Sequence, residues 1–155
     1  MNKEIERKFL VKDDSWKNLG EAVHYKQGYL SNDPERTVRV RIAGEKGFLT
    51  VKGKSTNDGL TRLEWEKELS VEEISPLFSL CLPGIIEKNR TKIQIGSHTF
   101  EVDEFFGQND GLILAEVELR SESESFEIPD WLGEEVTGDK RYYNSYLAQH
   151  PFSTW

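Results

Sequence analysis

A chain of 155 residues is long enough to bury a real core in one domain, and its formal net charge of −8 argues against nucleic acid as a default partner. Cys81 is the single cysteine, and His24, His98 and His150 are scattered, which excludes an internal disulfide, a thiolate metal site and a close-spaced zinc motif. Any metal must then be held by carboxylates, the donors that suit magnesium or manganese.

The first four residues, Met1-Asn2-Lys3-Glu4, lack the basic-then-apolar pattern of a secretory leader. No apolar run approaches the ~20 residues that span a bilayer. The expectation is a soluble cytoplasmic domain without a membrane partner.

From there the dominant period is two. Polar and apolar residues alternate over 4–11, 25–30, 37–42, 48–54, 61–69, 86–95, 98–106 and 112–120, each bounded by Gly, Asn, Asp or Ser, which predicts eight strands. Helical signals are fewer. Asp13-Asp14-Ser15 offers caps for a short helix ending by Gly20. Ser70-Val71-Glu72-Glu73 has the form of a capping box before Ile74 to Leu80, with Pro76 a disturbance in its first turns. Residues 139–149 read as a C-terminal helix, with Tyr143, Tyr146 and Leu147 at helical spacing. No repeat, linker or domain boundary interrupts residues 1–155.

Residues two apart on a strand share a face. The first strand groups Glu4, Glu6 and Lys8. The third groups Arg39 and Arg41, the fourth Thr50, Lys52 and Lys54, and the fifth Arg62, Glu64, Glu66 and Glu68. The sixth groups Lys88, Arg90 and Lys92, the seventh Glu101 and Asp103, and the eighth Glu116, Glu118 and Arg120. One wet face on an antiparallel sheet accounts for any single strand of this kind. It does not account for the sorting of signs, since the third, fourth and sixth strands carry only cations on that face and the seventh only acids. Eight strands can close on themselves and remove their free edges. The apolar faces then point outward, and the charged faces line a wet channel. Such an interior needs partners, and a polyphosphate meets both requirements: cations grip it, and acids hold divalent metals that also touch it.

In order along the chain, Glu4-Ile5-Glu6-Arg7-Lys8, Gln27-Gly28-Tyr29-Leu30, Val38-Arg39-Val40-Arg41, Leu49-Thr50-Val51-Lys52-Gly53-Lys54, Arg62-Leu63-Glu64-Trp65-Glu66, Lys88-Asn89-Arg90, Val102-Asp103-Glu104-Phe105, Glu116-Val117-Glu118 and the closing stretch from Glu135 to Asn144 resemble the CYTH superfamily, the triphosphate tunnel metalloenzymes. The resemblance implies a mainly β, α+β fold: an eight-stranded antiparallel closed barrel with a few helices packed outside. It implies metal-binding carboxylates at Glu4, Glu6, Glu116 and Glu118, with Asp103 as a helper, and a catalytic group of Glu4, Glu6, Lys8 and Glu64. It implies phosphate ligands at Lys8, Arg39, Arg41, Lys52 and Arg90, joined by Arg62, Lys88 and Lys140.

Glu66 and Glu118 have a second reading, neutralising an arginine across the channel. Lys54, Glu68, Lys92, Glu101 and Arg120 read as solvated rim, and Tyr142 and Tyr143 as residues that dock the last helix. The activity implied is Mg2+- or Mn2+-dependent hydrolysis of a small triphosphate, foremost inorganic tripolyphosphate to pyrophosphate and phosphate, by a monomer or homodimer. Thiamine triphosphatase and class IV adenylyl cyclase are the alternatives inside the family. A non-catalytic polyphosphate- or nucleotide-binding module is the alternative outside enzymology.

Overall fold

A computed structural model describes residues 2–155; Met1, where the leader reading began, lies outside them. The alternating segments form antiparallel strands: β1 Asn2–Val11, β2 Ala22–Asp33, β3 Arg36–Ala43, β4 Lys46–Gly53, β5 Thr61–Leu69, β6 Ile86–Ile95, β7 His98–Phe105 and β8 Ile113–Glu118. A ninth, β9 Leu132–Glu135, was not expected. It has four residues, one of them glycine, so it is too short to show alternation. No helix among the described residues is long and apolar enough to cross a membrane.

The hydrogen-bonded order is β5-β4-β3-β2-β6-β7-β8-β1-β9, and β5 pairs in addition with β1. Each of β1 to β8 therefore has a paired neighbour on both edges. β1 divides one edge between two partners. Its Glu6 N–H donates to Leu60 O (3.1 Å) near β5, and its Lys8 carbonyl accepts from Val136 (2.8 Å) just past β9. On the opposite edge the Ile5 carbonyl accepts from Leu119, just past β8 (2.8 Å).

Two apolar clusters hold this sheet. The first gathers Phe9, Ile93, Phe100, Val102, Ala115 and Val117 from the strands under Trp16, Trp131 and Leu132. These strand residues lie on the faces opposite the charges, as the alternation requires. Trp16 enters from a 3-10 turn, Ser15–Asn18, where a short helix was expected.

The second cluster corrects the expectation that every apolar side chain points away from the charged face. Phe105 follows Asp103, Leu114 precedes Glu116 and Ile86 precedes Lys88, each on the charged face of its strand, and Tyr29 lies with Tyr25 and Gln27 on the uncharged face of β2 that continues it. At one end that face turns apolar, and Val136, Tyr142, Leu147 and Ala148 pack against it. The C-terminal segment thus covers one end of the charged face.

That docking explains why residues 139–149 are not one helix. They form a 3-10 turn at Lys140–Tyr142, an extended Tyr143 (φ −74, ψ 134) and the short α2, Asn144–Leu147. Positions five apart on a continuous helix lie about 140° apart. A break between them lets Tyr142 and Leu147 bury against the same cluster. The 70–80 region behaves as its residues dictate. The capping box at Ser70 and Glu73 starts α1, Val71–Ile74, and Pro76 converts the continuation to a 3-10 helix, Ser75–Leu80.

Leu147 is fully buried in the second cluster, whereas Ile128 is 68% exposed. Leu147→Ala is expected to lower unfolding free energy by about 2–5 kcal/mol in a urea titration, and Ile128→Ala to stay within about 0.5 kcal/mol of the parent.

Candidate active site

The charged faces line one cavity of about 290 Å³. β4, β3, β2 and β6 are consecutive in the sheet order and supply Lys52, Arg39, Arg41, Lys88, Arg90 and Lys92 to its wall, with no carboxylate. β7, β8, β1 and β5 are also consecutive. They supply Glu101, Glu116, Glu118, Glu4, Glu6, Glu64 and Glu66, with Lys8 and Arg62 as the cations among them. The sorting of signs seen strand by strand thus becomes two arcs of opposite charge around one space.

Where the arcs meet, charges pair. On the β4–β5–β1 side, Lys52 Nζ donates to both Glu4 oxygens (3.0 Å each) and lies 3.4 Å from Glu64. On the β6–β7 side, Arg90 grips Asp103 with two hydrogen bonds (2.7 and 2.9 Å), and Lys88 Nζ sits 2.7 Å from the same carboxylate. Arg90 and Asp103 are direct cross-strand partners, and Asp103 is buried and absent from the cavity wall. Asp103, expected as a metal helper, is thus ion-paired in this structure with two buried cations. Burial alone would raise its pKa, but Arg90 and Lys88 outweigh that and hold it at about 2. Lys8 Nζ donates to the Tyr142 carbonyl (3.0 Å) and lies 3.5 Å from Glu116.

Glu66 accepts from the Thr50 hydroxyl (2.7 Å) and sits 3.6 Å from Arg39 Nη2, which matches its second reading as a neutralising acid. Glu118, on the acidic arc, has its pKa raised by burial and then by Glu4 and Glu101. Even with Glu66 nearby, Arg39 keeps a buried Nε–H with no acceptor among the described residues. A buried donor without a partner is costly, and this one belongs to the basic arc.

Two uncharged amides, Gln27 and Asn144, to which the sequence reading gave no role, tie Arg41 and Lys88 of that arc together. Arg41 Nε and Nη2 both donate to Gln27 Oε1 (2.9 and 2.8 Å). Gln27 Nε2 donates to Asn144 Oδ1 (3.0 Å), which also accepts from Lys88 Nζ (2.8 Å). Gln27 carries no charge to stand out, although it shares a strand face with Tyr25 and Tyr29. Asn144 is placed by the break at Tyr143. Burial, reinforced by Arg90 and Arg41 and opposed by Asp103, brings the Lys88 ammonium down to about 7.

The acids are crowded against one another as well as paired. Glu64 is raised to about 7, chiefly by its hydrogen bond with Glu4 and then by burial. Glu4, despite burial, is held at about 2 by Lys52 and by hydrogen bonds from Glu64 and Lys52. Burial and then the Glu116 and Glu4 charges push Glu6 well above the carboxylate range. Glu116, hydrogen-bonded to Glu6, is pulled below that range against its own burial by Lys8 and Arg90. In each pair one carboxyl is driven up and its neighbour down, as expected where two acids crowd one site beside a single lysine, Lys52 for Glu4 and Glu64 and Lys8 for Glu6 and Glu116.

No group of three His, Cys, Asp or Glu is gathered at metal-ligand distances among the described residues. A divalent ion in this cavity would accordingly take one or two carboxylates and complete its shell with phosphate oxygens and water, as magnesium does. The donor chemistry fits such an ion.

Every expected site residue except two lines this cavity. Asp103 lies behind it. Lys140 is exposed and lines a neighbouring cavity instead. Lys92 and Glu101, read as rim, join the wall, and Lys54 borders the neighbouring cavity.

A sheet of this order enclosing a cavity of two opposed signs is the architecture of the CYTH domain, whose family model matches residues 2–144; the chain belongs to that family. Its relatives are specific. Over its full length it is 49% identical to the inorganic triphosphatase of Acetivibrio thermocellus, 99% of which is covered. It is 39% identical over 149 residues to the inorganic triphosphatase of Nitrosomonas europaea, covering 94% of this chain and 96% of that one. A crystal structure of an inorganic triphosphatase superposes with a TM-score of 0.63 at 36% identity, over 93% of this chain and 96% of the other.

Asn144→Ala removes the acceptor shared by Lys88 and Gln27. The expected loss is about 1–3 kcal/mol of stability, read from the urea midpoint at unchanged slope.

Proposed function

We propose that this chain is a metal-dependent inorganic triphosphatase that hydrolyses tripolyphosphate to pyrophosphate and phosphate inside a closed eight-stranded tunnel. The observation that carries this reading is the pair of opposed arcs around one cavity, with the unpartnered Arg39 Nε–H on the basic side. The pairing of β5 with β1, which leaves β1 to β8 without a free edge, supports closure. Relatedness to two inorganic triphosphatases, over the full length for one and 94% of the chain for the other, supports the substrate.

In this mechanism the basic arc does the binding. Arg39, Arg41, Lys52, Lys88 and Arg90 hold the phosphate chain, with Lys8 and Arg62 reaching in from the acidic side. Arginine suits this role because its fixed fork matches phosphate oxygens. From among Glu4, Glu6, Glu116 and Glu118, one or two carboxylates would hold each Mg2+ or Mn2+ ion, which would neutralise phosphate charge and lower the pKa of a bound water. Glu64 orients the attacking water. The water oxygen forms a bond to the terminal phosphorus, the bridging P–O bond breaks, and pyrophosphate leaves. Lys8 and Arg39 stabilise the negative charge that builds on the transferring group. Positioning and fixed charge supply most of the rate in such a step. A linear tripolyphosphate needs no pocket for a ring, and no nucleobase pocket enters this account.

The test is incubation of the purified protein with tripolyphosphate, thiamine triphosphate and ATP, each with magnesium or manganese, with phosphate, pyrophosphate and cyclic AMP quantified. Tripolyphosphate is expected to turn over fastest, yielding equal pyrophosphate and phosphate. No turnover of tripolyphosphate with either metal would sink the proposal, and cyclic AMP from ATP would redirect it to a cyclase.

Glu4→Gln and Glu6→Gln are expected to lower kcat by about 10²–10³ with an unchanged circular dichroism spectrum. Chelation should abolish turnover, and added Mg2+ or Mn2+ should restore it. Full activity in both variants at saturating magnesium would remove these carboxylates from the mechanism.

A further inference from the structure

A second cavity of about 330 Å³ adjoins the first. The two share Thr37, Arg62, Tyr143 and Ser145 in their walls. The second is enclosed by the β2–β3 turn, the loop that follows β4 and the C-terminal segment. The loop and the segment meet glycine to glycine. A Cβ on Gly59 would lie 2.4 Å from Gly138 Cα, and Gly138 has φ +81, so neither position accepts a side chain without strain.

Its charge differs from that of the first cavity. Lys54, Arg62 and Lys140 line it, and no carboxylate does. Of the acids nearest in sequence, Glu35 is exposed and outside the wall, and three others are already engaged. Asp33 pairs with Arg36, Asp139 pairs with Arg141, and Asp58 accepts from the Thr56 hydroxyl and the Leu60 amide. Arg62 donates only to two neutral oxygens, the Gly53 carbonyl (3.1 Å) and the Thr37 hydroxyl (3.2 Å). Three cations therefore face one space without a counter-ion among the described residues, in a chain whose net charge is −8. In the first cavity, by contrast, Lys52, Lys88 and Arg90 are each paired with an acid.

Gathered cations repel one another unless an anion joins them. The set fits one ligand chemistry. An arginine fork, two lysine point charges and the hydroxyls of Ser55 and Tyr143, themselves 3.5 Å apart, are donors for a compact oxyanion. We propose that this second cavity is a vestibule that binds an inorganic phosphate oxyanion, separate from the first cavity and continuous with it past Arg62. Binding does not rest on the proposed activity; only the direction of traffic, with phosphate entering or leaving the first cavity by this route, does.

Lys54 and Lys140 are exposed, so removing their charges leaves the core intact. Orthophosphate and tripolyphosphate, each without metal, are titrated calorimetrically into the parent protein, K54Q/K140Q, K54R/K140R and Arg39→Gln. The double glutamine variant is expected to lose about tenfold or more in affinity, and the double arginine variant to keep it. Arg39→Gln, which removes a phosphate ligand from the first cavity alone, should leave orthophosphate binding in place.

A loss seen with orthophosphate identifies the free ion as the occupant. A loss confined to tripolyphosphate identifies the end of a bound chain. Unchanged affinity of K54Q/K140Q for both anions overturns the vestibule, as does complete loss of orthophosphate binding in Arg39→Gln. The titration needs no turnover, so it stands or falls apart from the triphosphatase reading.

Discussion

A charge taken out of water must find a partner, and this fold places more than a dozen charged side chains around one enclosed space. The solution is spatial sorting. Cations occupy three of four successive strands that carry no acid on that wall, and acids mostly the other four, so opposite signs meet at the seams, where Lys52 holds Glu4 and Arg90 holds Asp103. Compensation is nonetheless incomplete. Glu64 lies against Glu4 and Glu6 against Glu116, so acids crowd acids, and Arg39 retains an unused donor. A ligand that brings both phosphate oxygens and divalent cations completes both arcs together.

The same constraint sets what the rest of the chain does. Because the charged faces point into the cavity, the opposite faces of β1, β6, β7 and β8 must be covered, and Trp16, Trp131 and Leu132 cover them. One end of the cavity becomes apolar so that the C-terminal segment can seat there, and its seating is used twice. Leu147 and Tyr142 fill the cluster, while Asn144 and the Tyr142 carbonyl accept hydrogen bonds from Lys88 and Lys8. Packing and site geometry are thus tied through a few residues.

Most of the strand plan was legible because burial on one face leaves a period of two, and eight runs of it map onto eight strands. Charge could be read on those faces for the same reason. What escaped has physical causes. β9 is too short for a period. The C-terminal helix breaks at Tyr143 because tertiary contacts on both sides of that residue outweigh its helical spacing. Gln27 and Asn144 carry no charge, so nothing marks them until Arg41 and Lys88 are seen to lean on them. Asp103 could be placed on the correct face, but only its cross-strand register with Arg90 separates a counter-ion from a ligand. Lys140 follows the bend of its segment into the adjoining space.

The division of β1 between partners has a consequence for how the molecule assembles. Its first residues pair with β5 about sixty positions along the chain, and its middle pairs with β8 more than a hundred positions away. Contacts of such long sequence separation form slowly, because the intervening chain must be ordered first. The first of the described strands is thereby the one whose neighbours lie farthest along the chain. One face of that strand carries Glu4, Glu6 and Lys8, charges of the kind that discourage edge-to-edge pairing between chains, while Ile5, Phe9 and Val11 on the other await their cover.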